Sequence, residues 1–91
     1  MSGRLLTISG RVQGVGYRDW LVEQAVRLGV HGWVRNRRDG SVEALLHVDA
    51  AAVAALAALC RQGPPHADVT QIVEAAGERP MEPGFRRWPT A

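Results

Sequence analysis

The stretch Gly10-Arg11-Val12-Gln13-Gly14-Val15-Gly16-Tyr17-Arg18 decides how the chain is read. An alternating run leads into it, with Leu6 and Ile8 apolar against Thr7 and Ser9, and a helical pattern over 19–28 leads out. The stretch therefore reads as the end of a strand, a glycine-punctuated loop and the first turn of a helix. Glycines let a backbone turn tightly and approach a ligand closely. Successive backbone N–H groups in such a turn converge into an anion-binding concavity, and the orphan amides of the following helix add to the same field. Arg18 stands at the junction, and its planar guanidinium can fork two phosphate oxygens at once. These residues point to a site for a small phosphate-like dianion, although loops of this kind also simply turn corners. The spacing lacks the Gly-Lys-Ser/Thr of a nucleoside-triphosphate loop and the Gly-x-Gly-x-x-Gly of a dinucleotide site.

Outward from this loop, the first strand covers 5–11 and the first helix 19–28. Leu21, Ala25 and Leu28 form the helix's apolar stripe, Val22 and Val26 widen it, and Gly29 stops it. A second strand spans 32–37, Asp39-Gly40 signals a hairpin, and a third strand spans 41–48. In the third strand Val42, Ala44, Leu46 and Val48 share one face, with Leu45 an apolar exception on the other. Asp49 is the expected N-cap of a second helix, 50–62, buried through Val53, Leu56, Ala57 and Cys60 and halted by Gly63-Pro64-Pro65. A fourth strand over 67–75 and a short closing edge strand over 85–88 complete the order βαββαβ. This order specifies an α+β, ferredoxin-like sandwich: an antiparallel sheet with both helices on one face and the other face partly wet.

Composition narrows the function classes. The 91 residues suffice for one domain, and 46% hydrophobic content supports a packed core rather than disorder. No apolar run approaches the roughly 18 residues of a membrane span, and the first residues lack a signal-peptide pattern, so a cytoplasmic protein is expected. Cys60 is the only cysteine, which excludes an internal disulfide and disfavours a Cys-based metal site. All 11 basic residues are arginine; together with the alanine-rich 50–58 segment this reads as compositional bias and discounts arginine as a nucleic-acid signal. His31, His47 and His66 are too scattered to suggest a metal site. Trp20, Trp33 and Trp88 read as packing, and Arg35, Arg37, Arg38, Arg86 and Arg87 as solvated basic surface. Tyr17 is expected to anchor the loop by burial.

A second informative stretch is Gly32-Trp33-Val34-Arg35-Asn36. An asparagine at a strand end can accept through its oxygen and donate through its nitrogen, which suits it to orient water without being a base.

Together the two stretches closely resemble the acylphosphatase family. The matching residues are Gly10, Val12, Gln13, Gly14, Val15, Tyr17 and Arg18, then Gly32, Trp33, Val34, Arg35, Asn36, Gly40 and Val42. Gly63-Pro64-Pro65 with Ala67 and Val69, and Phe85, extend the likeness over essentially the whole chain. The resemblance implies hydrolysis of an acyl phosphate to a carboxylate and inorganic phosphate. In it, Arg18 matches the phosphate-binding catalytic arginine and Asn36 the asparagine that positions water. The backbone of Arg11, Val12, Gln13, Gly14, Val15, Gly16 and Tyr17 matches the phosphate cradle. One departure stands out: the family usually has glycine six residues after Val42, where this chain has Val48. No metal or other cofactor is implied, and the expected partner is a small acyl phosphate acting on a monomer, with phosphate or sulfate able to occupy the site. Neither nucleic acid nor membrane is expected as a partner. An RNA-recognition module shares the βαββαβ order but needs aromatics on its two central strands, here 5–11 and 41–48, which have none. A catalytically silent acyl-phosphate-binding domain is the other alternative, opposed by the presence of both Arg18 and Asn36.

Overall fold

The computed structural model describes residues 3–47 and 49–91. The elements run β1 (Gly3–Arg11), α1 (Tyr17–Leu28), β2 (His31–Asn36), β3 (Val42–His47), α2 (Ala50–Cys60), β4 (Asp68–Gly77) and β5 (Phe85–Arg87). The strands form one sheet in the order β4-β1-β3-β2-β5. The first four pair antiparallel, as expected, whereas β5 lies parallel to β2, so the sheet is mixed at that edge. Val48, expected at the end of the third strand and in place of a family glycine, lies outside the described residues.

Alternation in the strands sorts side chains between two faces. Leu6, Ile8, Val34, Val42, Ala44 and Leu46 point to the helices and are fully buried. They meet Leu21 and Ala25 of α1 and Val53, Leu56 and Cys60 of α2 in a single core cluster. Each of the valine, leucine and isoleucine side chains contributes about 1.5–3 kcal/mol by leaving water. Val26 departs from the expected stripe and is 66% exposed. Five residues on from Leu21, it is rotated about 140° round the helix, off the buried face.

Helix ends differ in how they are closed. Gly29 adopts the left-handed conformation and its amide donates to Val26 O, ending α1 as expected. Asp49 does occupy the N-cap of α2, but through its backbone: its carbonyl accepts from Val53 N–H at 2.9 Å while its side chain makes no capping bond. At the other end α2 stops at Cys60, and Arg61 and Gln62 close a tighter turn by bonding three residues back. Val12 and Tyr17 are both buried, which pins the two ends of the loop that the strand order leaves beside the end of β2.

Candidate functional site

The loop leaves β1 through a register shift between Ser9 and Gly10. Gly10 sits at φ 120°, and a Cβ there would lie 2.1 Å from Asp68 O, so only glycine lets β4 pass this close. At the far end Gly16, at φ 77°, is the N-cap of α1 and offers no side-chain bond to the helix. The first-turn amides of α1 are therefore left without a capping side chain and carry the positive end of the helix dipole. A helix start of this kind can receive an anion.

Two side chains hold the loop in place. Gln13 Nε2 donates to Arg37 O at 2.7 Å and to Ser41 O at 2.8 Å, spending both amide hydrogens on the hairpin that follows Asn36. Tyr17 is buried, and its hydroxyl donates to Cys60 O at 2.7 Å, tying the start of α1 to the end of α2. Burial, with Cys60 beside it, pushes the Tyr17 phenol far above its ordinary range, so it stays neutral. The Tyr17 ring also lies 5.4 Å from that of Trp20.

The hairpin is set by Asp39. Its Oδ1 accepts from Ser41 N at 2.9 Å and Ser41 Oγ at 2.6 Å, and these bonds hold the carboxyl below its ordinary value. The Asn36 side chain thus stands at the end of β2 between a pinned loop and a pinned turn.

The result is a cavity of about 220 Å³ lined by Val12, Gly14, Gly16, Tyr17, Arg18, Asp19, Asn36 and Arg87. The structure brings Arg18 and Asn36 to the same hollow, although 18 lies on a helix and 36 on a strand. Of the loop residues, Val12, Gly14, Gly16 and Tyr17 line it. Arg11, Gln13 and Val15 do not: Arg11 is paired with Asp68 in the sheet, Gln13 faces the hairpin, and Val15 packs on the core. Among the described residues no group of three or more His, Cys, Asp or Glu is placed to hold a metal, and no helix is long and apolar enough to cross a membrane.

Comparison with known proteins agrees with this fold. The acylphosphatase family model matches residues 5–87. The chain belongs to the acylphosphatase family. It is 60% identical over 85 residues to an acylphosphatase of Acidiphilium cryptum, covering 93% of each chain. It is 51% identical over 90 residues to one of Rhodospirillum rubrum, covering 99% of each. The solved acylphosphatase from Bacillus subtilis superposes with a TM-score of 0.89 at 30% identity, covering 97% of this chain and 99% of that one.

Three contacts around this candidate site were not read from the sequence. Arg87, expected as solvated surface, lines the cavity and pairs through Nε with Asp19 Oδ1 at 3.3 Å. The Gln13 side chain acts as the loop's tie. The Trp88 carbonyl accepts from Arg18 Nη1 at 3.2 Å. All three partnerships join residues 24 to 70 positions apart, which no local pattern encodes. Arg35 also leaves the expected class: it is held by Glu43 at 2.8 Å and lies over the Trp33 ring.

Proposed function

We propose that the protein hydrolyses acyl phosphates, with Arg18 as the cation that binds the phosphate and Asn36 as the side chain that orients the attacking water. The observation that carries this reading is the meeting of Arg18, Asn36 and the uncapped start of α1 in one small cavity. Loop and helix amides receive the equatorial phosphoryl oxygens, and Arg18 forks two of them. Water held by the Asn36 amide attacks phosphorus as the bond to the acyl oxygen breaks. The carboxylate departs with the bonding pair, and a water proton passes to a phosphate oxygen, giving dihydrogen phosphate.

A carboxylate is a good leaving group, so the step needs little acid assistance. What it needs is placement and stabilisation of charge on the equatorial oxygens, which fixed amides and one guanidinium supply with little reorganisation. Val12, Gly14 and Gly16 offer no side chain that could act as acid or nucleophile. Tyr17 has its hydroxyl committed to Cys60 O and its proton held by burial. The reaction proceeds on a monomer and uses no metal.

Benzoyl phosphate hydrolysis at neutral pH tests this directly. Activity is expected to survive EDTA, and inorganic phosphate is expected to inhibit competitively. Asn36→Ala is expected to lower kcat far more than it raises KM, since it orients water rather than phosphate. A folded wild-type protein without activity would instead make it a binding domain.

A further inference from the structure

Segment 85–91 reaches both proposed site residues. The Trp88 carbonyl accepts from Arg18 Nη1 at 3.2 Å. Past the end of β5, the segment goes on bonding to β2 and the turn after it. Trp88 N–H donates to Val34 O at 2.8 Å, Ala91 N–H donates to Asn36 O at 3.0 Å, and Arg38 N–H donates to Ala91 O at 3.1 Å. The same few residues thus hold the Arg18 head group and the Asn36 backbone.

A further hold on this segment lies on the other face of the sheet. β5 is only three residues long and sits at the sheet edge, where strands fray most readily. Pro89 follows Trp88 and has no N–H to add to the pairing. The Trp88 ring, however, lies flat on the Trp33 ring, with centroids 4.4 Å apart and planes 9° from parallel. The Arg35 guanidinium lies 5.0 Å from the Trp33 centroid and 5.7 Å from that of Trp88, and Glu43 holds that guanidinium in turn. Phe85, buried in the core, and the Arg87–Asp19 pair fasten the start of the segment, and the stack is the side-chain fastening at Trp88 itself.

We propose that the Trp33–Trp88 stack is a positioning device for the acyl-phosphate site: by fixing Trp88, it parks the Arg18 guanidinium facing the cavity through the Trp88 carbonyl. This rests on the assignment of Arg18 as the phosphate's cation. One of the five guanidinium N–H groups is spent on the carbonyl, and the rest remain for phosphate. An arginine so held enters binding already oriented, whereas a released one must be recruited from other rotamers. Loosening the stack lowers the fraction of protein ready to bind, which weakens apparent affinity by that fraction. Bound substrate restores the orientation, so turnover at saturation changes little.

The test is steady-state hydrolysis of benzoyl phosphate, with inorganic phosphate as inhibitor and a melting curve for each protein. Trp88→Ala, and Trp88→Leu as the bulkier variant should the first fold poorly, are expected to raise KM and the phosphate inhibition constant together by about 3- to 10-fold, with kcat within about twofold. Trp33→Ala should do the same, and Trp88→Phe, which keeps a ring in the stack, should recover most of the loss. A lower melting temperature with unchanged KM and phosphate inhibition would overturn the proposal, because a merely structural tryptophan behaves that way. Arg18→Ala is run in parallel. If it is inactive while the tryptophan variants bind normally, the positioning role alone fails; if it keeps wild-type kinetics, the assignment of Arg18 fails and the positioning role with it.

Discussion

Of two hollows among the described residues, the larger is not the one to which the proposed chemistry is assigned. The hollow on the sheet face away from the helices measures about 410 Å³ and is walled by Leu5, Trp33, Leu45, Pro80, Met81 and Trp88. The hollow at the start of α1 is about 220 Å³. The first exists because a two-layer sandwich covers only one face of its sheet, so apolar side chains such as Leu45 shelter under the 78–84 loop instead. The second lies where the glycine-bearing loop, the start of α1 and the end of β2 meet, and Arg18 and Asn36 line it. Size follows the missing layer, whereas the proposed chemistry follows the polar lining of the smaller hollow.

The contrast breaks most sharply at Arg18. Arg18→Ala is expected to lower kcat/KM for benzoyl phosphate by roughly 100- to 1000-fold with the melting temperature nearly unchanged. A loss of that size from any wall residue of the larger hollow other than the two tryptophans would place the chemistry there instead. Gly10→Ala tests the loop's root rather than its tip. With a Cβ driven against Asp68 O, a destabilisation of about 2–4 kcal/mol is expected in denaturant titration, with activity lost as the loop shifts.

Tyr17→Phe separates the site's anchor from its chemistry. It removes one buried hydrogen bond, for a cost of about 1 kcal/mol, and should leave phosphate affinity nearly intact. It should also change the alkaline limb of stability. Burial raises the Tyr17 phenol above its ordinary 10.0 and pushes the Cys60 thiol from 9.0 up to about 12. Both groups bind a proton more tightly when folded, so their contributions are complete below those ordinary values and are lost as pH rises beyond them. Wild-type stability is therefore expected to fall from pH 9 upward, and Tyr17→Phe should flatten the part above pH 10; denaturant midpoints against pH check this. The smallest effect belongs to the other hollow. Met81, fully exposed, should accept serine with less than about 0.5 kcal/mol change in stability and no change in kinetics.

Much of this architecture was legible because it is locally encoded. Alternation in 5–11 and 42–46, the stripe of α2 and the stop at Gly29 each need only neighbouring residues, and each appears in the structure. The exceptions are instructive. Val26 fits a loose helical pattern but falls outside the covered arc, since what a helix buries depends on the width of the surface it meets. Asp49 has the right chemistry for a cap, yet only its backbone takes part. Arg87 looked like solvent-facing charge because its partner Asp19 lies far away in the chain.

By itself the sequence determined the order of elements and the glycine-bearing loop between β1 and α1, and it named the two side chains here proposed to hold phosphate and aim water. Periodicity, capping and turn chemistry are local forces, and they act before distant segments meet. Only the tertiary structure decided that β5 runs parallel to β2, that Gln13 clasps the hairpin beside Asn36, and that Trp88 reaches Arg18. Those contacts depend on the packing of segments far apart in the chain, and their geometry is set by the whole sheet rather than by any residue's neighbours.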